Sequence, residues 1–217
     1  MNTNRFKILT GVLLILAGIT FWLSWYLMPD PGTVDSAHIL AIVKQSRMSV
    51  FSSVIVQIVS SILYTIAFFS LIQIVFPPRR YTSIGIVLAA IGVLGFCSDA
   101  FFHLLAYYMT DDSINIQENV VRVMHFMQTG GVIFLIPLLL PFLIGSILFA
   151  IGLNQQRIVS KIPAILFIVV PIFGFLGSVT AKKIFLYQGN LVSLMALGLF
   201  ALGHAWIGWE LISSSEK

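Results

Sequence analysis

Asp99 and His103 are the residues best suited to chemistry in this sequence, and both lie in the apolar stretch from Ser83 to Met109. An aspartate at the centre of a membrane helix costs roughly 2.5–3.5 kcal/mol on insertion scales, so it needs a partner or a function. Residues four apart share one helix face. A carboxylate and an imidazole on one face can relay a proton, bind a polar ligand or contribute to a metal site.

Other polar residues are predicted to join this pair inside the protein. Counted at about 1.5 Å per residue from the predicted outer helix ends, His103 lies about 9 Å deep, Asp99 about 15 Å and His204 about 21 Å. We therefore expect these three side chains to form one interior cluster. The further residues expected to line or approach it are Gln57, Tyr64, Arg122 and His125.

Two stripes of residues at helical spacing predict which helix faces meet at the cluster. Small residues at such spacing let neighbouring helices approach closely. Asp99 and His103 continue a stripe of this kind, so we expect both to face protein and not lipid. The stripe before them is Gly85, Ala89, Gly92 and Phe96, and the matching face of the preceding span is Ser53, Gln57, Ser60, Tyr64 and Ala67.

The three histidines allow two metal-centred interpretations. Neutral imidazoles of His103, His125 and His204 would suit zinc and a hydrolytic water, with Asp99 orienting one ligand. A haem held by two histidines would need both at equal depth, which His103 and His125 can meet. An intramembrane hydrolase and a haem protein are therefore both open.

Three other interpretations do not need a histidine triad. Met109, Met124 and Met127, close to His125, supply soft ligands that would favour copper(I). Asp99 can instead be a protonatable relay group in a pocket for transport or sensing of a small molecule, proton or metal. The polar residues can also form a structural network that only satisfies Asp99. We expect binding, transport or sensing, with the others as alternatives.

Short motifs give two resemblances. The segments Asp30–Val43, Asp99–Met109 and Met124–Gln128 are similar to a group of bacterial multi-pass membrane proteins, which implies a bacterial cytoplasmic membrane and no particular activity. The cluster also loosely resembles the intramembrane ceramidase and progestin-receptor-like superfamily, whose site contains three His, an Asp and a Ser. Those proteins have seven spans and a His-x-x-x-His pair in the last, which His204 lacks. The residues that would correspond are Ser98, Asp99, His103, His125 and His204.

Composition sets the environment of these residues. Of the 217 residues, 59% are hydrophobic and 9% charged, whereas a soluble domain has roughly 45–50% apolar and about 25% charged residues. Lipid is therefore the expected partner of most of the surface. This composition, with a single cysteine, excludes a secreted disulfide scaffold, a disordered chain and a nucleic-acid-binding module. Walker, nucleophile-elbow, His-Glu-x-x-His and Cys-x-x-Cys motifs are absent from the sequence.

Apolar runs of about 20 residues predict the elements that hold the site. The fold class is all-α, a polytopic transmembrane helix bundle that forms one membrane domain over residues 1–217. Short interfacial helices are expected on the outer side, one of them after Asp35. A helix over residues 113–128, divided from the fourth span by Gly130-Gly131, is expected either to lie at the interface or to insert partly into the bundle. An excess of Lys and Arg on the side of the termini predicts that both are cytoplasmic. The six predicted spans are about 8–28, 50–76, 83–109, 132–153, 162–180 and 191–212.

Overall fold

A computed structural model describes residues 3–29, 35–114, 118–172 and 189–215, and most of these residues are helical. The all-α architecture predicted from the sequence is confirmed for this part of the chain. A π-helical turn, Met127–Gly131, joins the fifth helix to the sixth. The helices are α1 (Thr3–Leu27), α2 (Ser36–Gln45), α3 (Arg47–Ile74), α4 (Arg80–Met109), α5 (Glu118–Phe126), α6 (Val132–Gln155), α7 (Ile162–Ile172) and α8 (Gly189–Ser215).

Five of these helices, α1, α3, α4, α6 and α8, are long and apolar enough to cross a membrane. Their apolar segments have 23 to 30 residues, against about 20 needed for the hydrocarbon core. Many of their exposed side chains are large and apolar, such as Ile62, Leu94 and Leu202. These are the features of a membrane-embedded protein. The predicted span 162–180 corresponds in part to the shorter α7, and its residues 173–180 lie outside the described residues.

Helix α4 packs closely on α6 because small residues lie where their backbones meet. A Cβ atom at Gly85 would overlap the backbone of Phe149, and one at Gly92 would overlap that of Phe142. Across the contact, a Cβ at Gly145 would overlap the backbone of Ala89. The prediction that this stripe of α4 faces another helix is confirmed, and that helix is α6.

Helices α1 and α8 are antiparallel neighbours. Gly11 lies against Gly208, and Gly18 lies against Ala201, so residue numbers rise along one helix as they fall along the other. The beginning of α1 and the end of α8 therefore share one end of the bundle, here named the termini end. The opposite end, which carries α2 and α5, is named the α2 end.

Serines hold α3 against α1. Ser53 donates its hydroxyl hydrogen to the carbonyl of Ser24 over 2.7 Å, and Ser60 donates to the carbonyl of Ala17 over 3.0 Å. The polar face predicted for the second span is buried along its whole length. The buried hydroxyls of Ser53 and Ser60 thus have carbonyl partners, as burial in an apolar interior favours, whereas the buried hydroxyl of Tyr64 has no hydrogen-bond partner among the described residues.

At the α2 end, Asp35 caps α2 by accepting hydrogen bonds from the backbone N–H groups of Ala37 and His38. Between α5 and α6 the helical backbone is continuous through Gly130-Gly131, where the sequence predicted a division. The π-helical turn takes the place of a break there. Glycine pairs permit such a turn because they lack side chains that would resist it.

Candidate functional site

Three of the predicted site residues lie together between α3 and α4. Gln57 Nε2 donates a hydrogen bond to Asp99 Oδ2 over 2.9 Å. His103 Nδ1 lies 3.3 Å from Gln57 Oε1 and 4.0 Å from Asp99 Oδ2. We call Gln57, Asp99 and His103 the polar cluster. It joins an amide, a carboxylate and an imidazole between two of the helices that are long and apolar enough to cross a membrane.

Helix geometry explains this arrangement. Asp99 and His103 are four residues apart on α4 and therefore project from one face. Gln57 approaches from α3, and its Nε2 atom also donates to the backbone carbonyl of Phe96, over 3.1 Å. One amide group thus satisfies a carboxylate and a helix carbonyl together. The free-energy cost of burying Asp99 is lower because its carboxylate accepts a hydrogen bond from Gln57.

His103 is the more accessible ionisable member of the polar cluster. Its side chain is 23% exposed, whereas that of Asp99 is 11% exposed. Trp25 of α1 lies beside it, with the two ring centroids 6.0 Å apart and the ring planes nearly perpendicular. The indole N–H of Trp25 is buried and has no hydrogen-bond partner among the described residues. An aromatic ring at this separation can stabilise an imidazolium cation.

An ion pair between Arg47 and Asp111 lies at the α2 end, about two helical turns beyond His103 in the direction of α4. Arg47 Nη2 lies 3.0 Å from Asp111 Oδ2, and the guanidinium carbon is 4.3 Å from the ring centroid of Tyr107. The hydroxyl and backbone N–H of Ser113 donate to the other carboxylate oxygen of Asp111. These hydrogen bonds and then the charge of Arg47 lower the pKa of Asp111.

Sequence reasoning missed this Arg47–Asp111 pair. Opposite charges at adjoining ends of two successive antiparallel spans were the signal that could have predicted the contact.

His204 lies in different surroundings from the polar cluster. It is fully buried, with Nδ1 3.1 Å from the carbonyl oxygen of Phe200 and Nε2 3.2 Å from Ser146 Oγ. Tyr64 is part of this aromatic core and not of the polar cluster. The rings with centroids within 6.5 Å of the imidazole are Tyr64, Phe68, Phe142, Phe149, Phe167 and Phe200.

Arg122 and His125 lie on the exposed surface of α5. They line an open groove of about 620 Å³ beside the start of α2, together with Glu118 and Thr129. The sequence left open whether this helix enters the bundle or lies at its surface. In the structure, the side chains of Arg122 and His125 lie at the surface of the bundle.

The three histidines predicted as metal ligands are thus in three different surroundings. Within the described ranges, no group of three or more His, Cys, Asp or Glu side chains is placed to hold a metal ion. Ser98 donates its hydroxyl to the carbonyl of Leu94 on its own helix. The methionines considered for copper(I) pack in an apolar cluster at the α2 end; they are Met109, Met124 and Met127, joined there by Met28.

Comparison with known proteins assigns no family to the chain. No protein-family model, curated protein or solved structure matches it. The two resemblances based on short motifs therefore stay predictions. Function must be argued from the site itself, because helix bundles of one architecture serve many activities.

Proposed function

We propose that this protein binds and releases a proton at Asp99 and His103 inside the membrane, as part of proton-linked transport or sensing of a small molecule or ion. The observation that carries the proposal is the buried hydrogen-bonded contact of a carboxylate, an amide and an imidazole between two apolar helices. Ionisable residues at such depth mark proton relays and ligand sites in membrane proteins.

The charge of the pair favours one bound proton. Asp99 Oδ2 and His103 Nδ1 lie 4.0 Å apart, so the charge of each group acts on the other. When Asp99 is a carboxylate and His103 is a neutral imidazole, the pair carries one negative charge. When the pair has bound two further protons, it carries one positive charge. One proton makes it neutral overall, which an apolar interior favours. A ligand that changes the surroundings of the pair would change its proton occupancy, which is the basis of proton coupling.

Exposure supports the α2 end as the side of proton entry. His103 is nearer that end than Asp99 by one helical turn and is also the more exposed of the two. Tyr107 and the Arg47–Asp111 pair follow along the same two helices. Polar side chains thus connect the polar cluster with that end of the bundle.

We also propose the six-span topology for this site. Gly152, near the end of α6, packs on Thr82 at the start of α4, and Ser160 N–H donates to Glu210 near the end of α8. Helix α6 therefore finishes at the termini end, while α8 begins at the α2 end. The chain must return across the bundle between them, which favours a span over 162–180. Loop charge favours cytoplasmic termini, and the first resemblance favours a bacterial cell membrane.

The test uses a variant in which Trp25 is the only tryptophan, reconstituted in lipid nanodiscs. A protonated imidazole quenches a neighbouring excited indole, so acidification should quench Trp25 fluorescence with a one-proton titration curve. His103→Gln should abolish that response, because Trp25 lies 6.0 Å from this ring. His125→Gln, on the exposed surface of α5, is the matched control and should retain it. Equal titration curves in the parent protein and in His103→Gln would refute the proposal.

A further inference from the structure

We infer that Gln57 is a positioning residue that fixes the proton on Nδ1 of His103, so that the proton of the site is gained and lost at Nε2. The inference rests on the proton-binding function proposed above and names the atom at which it occurs. It follows from the donor and acceptor roles of four groups in contact: the Phe96 carbonyl, the Gln57 amide, the Asp99 carboxylate and the His103 ring.

The backbone carbonyl of Phe96 sets the orientation of the Gln57 amide, because a carbonyl can accept a hydrogen bond but cannot donate one. The backbone carbonyl of Phe96 lies 3.1 Å from Gln57 Nε2, and the carboxylate oxygen of Asp99 lies 2.9 Å from the same nitrogen. A flipped amide would direct its oxygen at both acceptors and would lose both hydrogen bonds. The NH₂ group therefore faces Phe96 and Asp99, and Oε1 faces His103.

That orientation determines the tautomer of His103. Gln57 Oε1 can only accept, and His103 Nδ1 lies 3.3 Å from it, so Nδ1 must carry a hydrogen. Asp99 Oδ2, at 4.0 Å from Nδ1, is too far away to take this hydrogen bond. Gln57 is only 1% exposed, so water has little access to replace its oxygen. In the neutral ring, Nε2 is left with a free lone pair.

Nε2 is therefore the nitrogen that gains a proton. When a hydronium ion delivers it, an Nε2–H bond forms, one O–H bond of the hydronium breaks, and water leaves. The Nδ1–H bond stays intact, donating to Gln57 throughout. Asp99 acts as the counter-charge to the imidazolium and not as its direct proton donor. The release of the proton reverses the same step.

Nitrogen-15 NMR of the full chain in lipid bilayers tests this inference directly. The sequence has 4 histidines, so His103 can be assigned by the signals missing from His103→Gln. Where the ring is neutral, we expect the Nδ1–H tautomer to predominate, because only that tautomer donates to Gln57 Oε1. Gln57→Leu should reduce the ratio of Nδ1–H to Nε2–H tautomer by about two- to tenfold, the value of one hydrogen bond. Gln73→Leu, the same change at an exposed position of α3, should leave it unchanged.

The spectrum of the unmodified protein decides the inference even if Gln57→Leu fails to fold. A predominant Nε2–H tautomer there would overturn it, although protonation could still quench Trp25. Conversely, an Nδ1–H tautomer without any proton-dependent change at Trp25 would leave the assignment of the tautomer standing and refute the proposed function. The two failures are thus distinguishable.

Discussion

His103 and His204 both lie in helices that are long and apolar enough to cross a membrane. Their hydrogen bonds differ, and this difference suits them to different roles. The carbonyl of Phe200 requires a hydrogen on Nδ1 of His204, and Nε2 lies 3.2 Å from Ser146 Oγ, whose hydroxyl donates to the carbonyl of Phe142 over 2.7 Å. Both nitrogens of this fully buried ring thus have a polar atom within hydrogen-bond distance. His103 has a partner for Nδ1 and a partly exposed ring. Only His103 keeps a nitrogen available for exchange.

The structural role of His204 gives a prediction at the residue scale. Ser146→Ala removes the hydroxyl that lies beside Nε2 of His204 and that donates to the Phe142 carbonyl in an apolar core, which should destabilise the protein by about 1–3 kcal/mol. Ser98→Ala is the control, because that hydroxyl bonds only to its own helix in an exposed position. Unfolding of both variants in detergent measures the difference. The account of His204 fails if the two variants are equally stable, or if Ser146→Ala removes the proton response of Trp25.

At the scale of helices, α4 makes different kinds of contact on its two sides. Toward α6 its glycines admit a close backbone approach, and toward α3 it meets the polar cluster. At the α2 end the start of α3 is joined to the end of α4 by the ion pair of Arg47 and Asp111. The glycine contacts hold α4 against α6, and the ion pair helps to hold α3 and α4 in the register that lets Gln57 reach Asp99.

The Arg47–Asp111 contact predicts how stability depends on pH. The folded-state pKa of Asp111 is lowered by hydrogen bonds from Ser113 and by Arg47. A lowered pKa means that the stabilising contribution is present above the ordinary aspartate value of about 3.9 and is lost as pH falls through the folded-state value. The difference in thermal stability between the parent protein and Asp111→Asn should therefore be constant above about pH 5 and shrink below about pH 4.

The control for this experiment is Asp112→Asn. Asp112 pairs with Lys44 over 3.4 Å, but its side chain is 91% exposed, and exposed ion pairs contribute little to stability. This variant should behave like the parent protein across the titration. A stability difference for Asp111→Asn that does not change between neutral and acidic pH would contradict the assigned role of the contact.

The length of the apolar runs predicted the five long helices. The spacing of small and polar residues predicted the buried faces of α3 and α4, because helix geometry fixes which residues of one helix share a face. The contact of Asp99 with His103 follows from their spacing alone. The position of His204 could not be predicted in this way. Depth along the membrane normal gives one coordinate, whereas the direction in which each helix presents its side chains depends on how α6, α7 and α8 pack.

At the scale of the whole molecule, polar contacts are distributed unequally between the two halves of the bundle. The half toward the termini end contains the aromatic core, in which the His204 nitrogens have hydrogen-bond partners. The half toward the α2 end contains the polar cluster, the buried indole N–H of Trp25 and the Arg47–Asp111 pair. This asymmetry is what a protein needs if a proton enters from one side and is held near the middle of the membrane.

The central claim is that Asp99 and His103 act as one proton-binding unit, and Asp99→Asn tests it most directly. The substitution removes the negative charge that lies 4.0 Å from His103 Nδ1 while keeping the shape of the side chain. With Trp25 fluorescence as the readout, the affinity of the protein for the proton should fall, because the imidazolium then lacks the carboxylate that balances its charge in an apolar interior. Asp112→Asn, which removes an equal charge at the surface, should leave the affinity unchanged. An affinity in Asp99→Asn equal to that of the parent protein would contradict the account.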